Sequence, residues 1–332
     1  MNKGRWILLI ALGFLFLVSC NTLERKAVRS VADMLSSPDG AGAITSDDDP
    51  QLIADALPLA LKIYEILLTK DPENYDLTVA TGKNFAMYSG GFVLLPADMM
   101  EDDRWEEADA ARRRAKKLFR RGRDYLLAAL ELRHEGFRSA LESGRYDAAA
   151  AMLEPEDADA AYWAGLSWLG MASVDPFDVE VLTTVDRAAL LMYRSMELDE
   201  SPPGMHDMMI QLQVSLPSSI LVTLRDRSPA TAAFMDAYYD RAGVGKDPRE
   251  RAFHHYNRAV SLSDGLDPSP HITMATAISV RDQDVEGFRG YLDAALAIDP
   301  EQRPETRLMT LIYQDKARWL LDHIEDFFLV DF

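Results

Sequence analysis

The stretch that decides the fold runs from Leu52 to Leu95, LIADALPLALKIYEILLTKDPENYDLTVATGKNFAMYSGGFVLL. Its first half places Ile53, Leu57, Ala60, Leu61, Tyr64, Leu67 and Leu68 at the three-to-four spacing of a helix with one buried face. That helix must stop at Asp71-Pro72, because proline has no amide donor and pushes the residue before it out of helical geometry. Asn74 then caps a second helix from Tyr75 onward, which makes the stretch an antiparallel helical hairpin. The second helix is apolar on nearly every side, yet it holds Gly82, Gly90 and Gly91. Each interior glycine costs roughly 1 kcal/mol against alanine, so something is expected to approach this backbone closely, either another helix or a ligand.

Outward from this hairpin the same spacing recurs in weakened form. Ala60, Tyr64 and Pro72 are separated by four and eight residues; Ala252, Tyr256 and Ala259 repeat the first part, with Asp264 in the proline's place. Leu292, Ala295 and Pro300 repeat the second part, and Ala189, Tyr193 and Met196 echo it ahead of Pro202. Small, aromatic, small, then proline at these offsets is the second helix of a tetratricopeptide repeat (TPR), and Gly82 and Phe85 fall where the next first helix has its glycine and aromatic. The units are irregular in length. The expected fold is therefore all-α, an irregular TPR-like helical-hairpin solenoid in which each hairpin buries its face against its neighbours and leaves a concave wall.

Helices are predicted over 105–133, 137–142, 146–153, 157–172, 186–198, 205–216, 229–241, 248–263, 269–280, 285–297 and 304–329, with no strand-like alternation between them. Ser36 to Pro50 reads as a linker, Asp49 as a cap and Pro50 as the first helical residue. Asp47-Asp48-Asp49 lacks the glycine turn and distal glutamate of a calcium loop. The basic run Arg112, Arg113, Arg114, Lys116, Lys117, Arg120, Arg121 and Arg123 reads as a solvated face paired with acidic neighbours, or as a docking strip for an acidic partner or anionic ligand.

The amino terminus carries Lys3 and Arg5, an apolar run from Trp6 to Val18, and Ser19 before Cys20, the one cysteine of the chain. A basic region, a short apolar region and a small residue before the cut describe a secretory signal. With the cysteine directly after, the segment resembles a bacterial lipobox, which predicts lipidation at Cys20 and attachment to a membrane surface. The expected organisation is a lipoprotein signal peptide (1–19), a lipidated tether and linker (20–50) and a single TPR-like α-helical domain (51–332). A net charge of −19, two units more negative without Lys3 and Arg5, repels nucleic acid and argues against it as a partner.

Chemistry-bearing motifs do not stand out. The six histidines show no metal-ligand spacing, and His254-His255, on adjacent helix faces, are not expected to share a site. There is no His-Glu-x-x-His, P-loop, Gly-x-Ser-x-Gly or Cys-x-x-Cys, so neither an enzyme, a metal site nor a cofactor is expected.

Several blocks carry a family likeness: Ala56-Leu57-Pro58 through Tyr64-Glu65, Tyr88-Ser89-Gly90-Gly91-Phe92-Val93, Leu130 through Phe137, Tyr162-Trp163, and the tail from Ala317 to Leu329. In these the chain resembles the TatT family, the TPR-like lipoprotein component of TPR-associated TRAP transporters. The resemblance implies a periplasm-facing, lipid-anchored, non-catalytic accessory subunit. It would assemble as a homotrimer, dock the extracytoplasmic solute-binding subunit, and pass a small organic ligand, acid or hydrophobic, through a cleft or channel. A general TPR-like scaffold for envelope assembly is the alternative. If a channel exists, its expected lining is Phe85, Tyr88 and Phe92 with Gly90 and Gly91 at the opening, faced by Tyr162, Trp163 and Trp168; Gly82 is expected to serve packing.

Overall fold

Caps and prolines act where the sequence puts them. The computed structural model describes residues 29–35 and 37–329, so Cys20 and the apolar leader lie outside the described residues. After α1 (29–35) and α2 (Pro38–Thr45) comes the hairpin of α3 (Pro50–Lys70) and α4 (Tyr75–Met87). Asp49 accepts the Gln51 and Leu52 amides at 3.0 Å, and Asn74 accepts the Leu77 amide at 3.0 Å. The segment expected as a linker contains α2 instead. Ser37 caps it, and Ile44 packs on a core cluster that includes the C-terminal helix, a long-range burial that composition does not report.

Beyond Met87 the helix loosens into a π-helical turn, Tyr88–Leu94, before α5 (Leu95–Asp98). Then follow α6 (Trp105–Arg133), α7 (Phe137–Glu142), α8 (Tyr146–Met152), α9 (Ala158–Val174), α10 (Val179–Leu182) and α11 (Val185–Leu198). The second half has α12 (Pro203–Val214), α13 (Ser218–Arg227), α14 (Pro229–Ala242), α15 (Pro248–Leu262) and α16 (Ser269–Met274). A second π turn, Ala275–Ser279, leads to α17 (Val280–Asp282), α18 (Val285–Leu296) and α19 (Arg307–Asp322). Among the described residues there is no strand, and no helix is long and apolar enough to cross a membrane. The protein is an all-α, TPR-like helical-hairpin solenoid.

Gly82 is a packing residue. A Cβ there would lie 2.9 Å from the Gly122 carbonyl oxygen, and a Cβ at Gly122 would lie 2.9 Å from that of Gly82, so α4 and α6 touch backbone to backbone. The basic face of α6 is largely paired. Arg112 bonds Asp98 at 2.8 Å, Arg120 bonds Glu180 at 2.8 Å, and Lys116 bonds Asp175 at 2.7 Å; Arg121 meets Glu65 and Arg113 meets Asp109. The solvated-face reading of this run holds for these side chains.

One expectation fails in a way that matters. The hairpins do not bury their faces against chain neighbours alone, because α19 returns to the start of the solenoid. Leu308 and Ile312 of α19 share one buried cluster with Ile53 and Leu57 of α3, Phe85 of α4 and Phe119 of α6. The concave wall is thereby closed. The tail block of the family likeness anchors this arrangement: Ala317, Leu320, Ile324 and Phe328 form a core with Phe288 and Leu292 of α18.

A polar chain runs through the second half. His206 Nε2 donates to the Glu200 carbonyl at 3.0 Å, so Nδ1 of the neutral ring is an acceptor. It faces His255 Nδ1 at 2.9 Å, which must donate, leaving His255 Nε2 to accept the Tyr239 hydroxyl at 2.9 Å. Contrary to expectation, His254 stands in the same aromatic group, 5.3 Å from His255 between ring centres, because both rings reach Tyr238 and Tyr239 on the neighbouring α14. Among the described residues no group of three or more His, Cys, Asp or Glu side chains is placed to hold a metal ion.

Burial, helped by the Arg258 charge, overcomes the Glu200 carbonyl and pushes His206 down to about 4, and burial takes His255 well below its ordinary value. Folded pKa values below the unfolded ones mean stability that is complete above roughly pH 6.5 and lost as pH falls through the folded values. The histidine pair should therefore cost melting temperature between about pH 7.5 and about pH 5, a cost that the Asp207 carboxyl, raised to about 7, offsets in the wild type. His255→Gln, neutral throughout, should lose less melting temperature than the wild type over that interval; equal losses in the two proteins refute the assignment.

Candidate ligand-binding cavity

The return of α19 bounds a cleft of about 840 Å³, within the range of small-molecule sites. Its wall is assembled from distant segments: the π turn after α4, α9, α12, α16 and α19. Gly90 and Gly91 belong to the wall, and the space beside them is real, since a Cβ would meet nothing nearer than Phe119 at 3.6 Å and Met309 at 4.0 Å respectively. The π turn contributes here, because its extra residue per turn re-aims this strip of backbone.

The structure divides the expected lining residues. Gly90, Gly91, Tyr162 and Trp163 lie on the cavity wall. Phe85, Tyr88, Phe92 and Trp168 do not. Phe85 is fully buried, stacked on Tyr125 at 5.9 Å with Arg121 over its ring. Tyr88 stacks on Phe92 at 6.1 Å within the same cluster, and Trp168 is buried, its Nε1 donating to Thr184 at 3.0 Å. On a helix apolar all round, periodicity does not say which face meets the core and which meets the void, and four aromatics were needed for packing.

Polar groups segregate by depth. Toward the exterior, Trp163 Nε1 donates to Asp159 at 3.1 Å, and Lys83 both pairs with Asp159 at 2.7 Å and sits over the Trp163 ring at 5.6 Å. Deeper, the Tyr162 hydroxyl donates to the Gly204 carbonyl at 3.2 Å. Beside it are Asp207 of α12, Thr273 of α16, and Tyr313 and Lys316 of α19. Burial pushes Asp207 up to about 7, against the opposing influence of the Thr273 hydroxyl and the Lys316 charge. Burial, then the nearby Asp207 and Asp267 charges, raise Tyr313, and burial lowers Lys316 in spite of Asp98 and Asp207.

Sequence reasoning missed Asp207, Tyr313 and Lys316. The one available signal was an acid inside the apolar, methionine-rich run Met205-His206-Asp207-Met208-Met209. Nothing local connects it to α19. A second, more open groove of about 920 Å³ lies beside Leu68, Tyr125, Glu131 and Arg138. Several of its polar groups are already engaged: Glu131 accepts the Gly136 and Arg138 amides at 2.8 and 2.7 Å, and the Tyr125 hydroxyl donates to Glu65 at 2.9 Å.

Fold and cavity together define a class: an all-helical solenoid with a small-molecule-sized cleft between its first and last helices. The family model described as TRAP transporter T-component (TAtT) matches residues 46–220 and 230–328. A protein of Treponema pallidum (strain Nichols), itself described as uncharacterized, is 32% identical over 298 residues, which is 89% of this chain and 85% of that one. The chain belongs to the TRAP transporter T-component family, and is by that membership an accessory component of a TRAP transporter.

Proposed function

We propose that the protein is a non-catalytic accessory lipoprotein, anchored through Cys20 and facing the periplasm, that docks the extracytoplasmic solute-binding subunit of its transporter. It works as a homotrimer and passes a small organic ligand, acid or hydrophobic, through the cavity of each protomer. The observation that carries this reading is the deep cleft where the last helix meets the start of the solenoid, which a general envelope scaffold would not need. Leu52, Leu59, Ile63 and Ile66 add support: they are exposed along one outer face of α3, an apolar stripe of the kind used for protein contact.

Affinity purification from a detergent extract should recover a solute-binding protein, with a mass corresponding to three protomers in the native complex. Repeated recovery of unrelated envelope proteins in its place would sink the docking role and favour the scaffold reading. Lipid mass on the peptide bearing Cys20 tests the anchor separately.

A further inference from the structure

The deep end of the cavity holds two charged groups that the fold leaves without a counterpart. Asp207 is 7% exposed and its Oδ1 has no hydrogen-bond partner, although the Ser269 and Thr273 hydroxyls stand near enough to ease its ionisation. Buried acids are ordinarily paired or hydrogen-bonded, because nothing else replaces the lost water. Lys316, which lines the same cavity, makes no ion pair among the described residues. The other wall carboxylates are engaged: Asp98 with Arg112 at 2.8 Å, Asp159 with Lys83 at 2.7 Å, and Asp267 with the Ser269 amide at 2.9 Å.

Asp207 and Lys316 influence each other but do not form an ion pair. They are held apart because α12 and α19 are each pinned by their own cores, Met205, Met209 and Leu212 on one side and Leu308 and Ile312 on the other. The same cavity also has apolar wall, including Leu94, Leu166, Met208 and Met309.

We propose that this pole is a head-group site for a small organic molecule carrying a carboxylate and, close beside it, a hydroxyl or ammonium donor: Lys316 takes the carboxylate, Asp207 the donor, and the apolar wall the carbon chain. A donor supplies the partner that Asp207 lacks, and a carboxylate supplies the counter-charge that Lys316 lacks. The inference rests on the cargo reading above only in assuming that the cavity is occupied.

The test is isothermal titration of the detergent-solubilised full-length protein with three probes of matched chain length: hexanol, caproate and α-hydroxycaproate. The wild type should bind α-hydroxycaproate about tenfold or more tighter than caproate. Asp207→Ala should erase that preference while leaving caproate binding in place, and the isosteric Asp207→Asn should shrink it. Lys316→Met should weaken both carboxylates about tenfold or more and spare hexanol. Thermal melting of each variant verifies folding.

Equal binding of caproate and α-hydroxycaproate, as when ordered water alone satisfies Asp207, would overturn the proposal, as would carboxylates that do not bind or variants without effect. Partner recovery by the same Lys316→Met protein reads the other claim. If the wild type captures no solute-binding subunit while the probe preferences hold, the docking role fails and the head-group site stands.

Discussion

Asp157→Ala is expected to cost about 3–5 kcal/mol of stability, the range for stripping one partner from a buried charged network. Asp157 is fully buried at the start of α9. Its Oδ1 accepts from Arg133 at 3.0 Å and from the Tyr75 hydroxyl at 3.2 Å; its Oδ2 meets His134 Nε2 at 2.6 Å and accepts the Glu154 amide at 2.9 Å. One side chain thus ties the start of α4, the end of α6 and the entry to α9. Burial alone would raise its pKa, but the Glu154 amide, His134 and Arg133 outweigh burial and hold it below the usual carboxylate value. Its stabilising contribution is therefore present above the unfolded pKa and fades as pH falls through the folded one. Urea unfolding at neutral pH measures the loss. A shift below about 1 kcal/mol would mean that Arg133 and His134 find water instead, and that the hub is not structural.

Gly82→Val should be the second large effect, at about 2–3 kcal/mol or a failure to fold. Its Cβ would press on the Gly122 carbonyl oxygen at 2.9 Å and on Leu126 Cγ at 2.5 Å. Leu126 is itself fully buried, so neither neighbour yields cheaply. Gly90→Ala and Gly91→Ala make the contrast. Their Cβ atoms meet only ordinary van der Waals contacts, and stability should change by about 1 kcal/mol or less. The same denaturation series separates the two classes. A Gly82 variant as stable as the Gly90 and Gly91 variants would contradict the close helix crossing.

Gly82 was legible as packing because the repeat spacing asks for a small residue there. Asp157 sits at the start of the helix predicted over 157–172; its partners come from α4 and α6, and no local pattern announces a convergence of Tyr75, Arg133 and His134 upon it. The block Leu130 through Phe137, part of the family likeness, now has a structural account in Arg133, His134 and the amide contacts of Glu131. Likewise the tail block from Ala317 is the core of the last hairpin.

What the sequence by itself determined is whatever rests on short-range physics. The Asp49 and Asn74 caps, the stop at Asp71-Pro72, the left-handed Gly136 at φ 87° and the extent of Trp105–Arg133 all act within a turn or two of their own residues. Those terms name the helices and make the chain all-α. Tertiary structure alone decided that α19 returns to α2 and α3, that a cleft forms there, and that Asp207 and Lys316 both line it. Burial of Leu308 and Ile312 against Ile53 and Leu57 drives the closure, and an apolar stripe states only that it must be covered, not by which distant helix. The π turn at Tyr88–Leu94 belongs to the same account. Gly90 and Gly91, conspicuous from the outset, mark a place where backbone faces open space, while the aromatics around them went to the core.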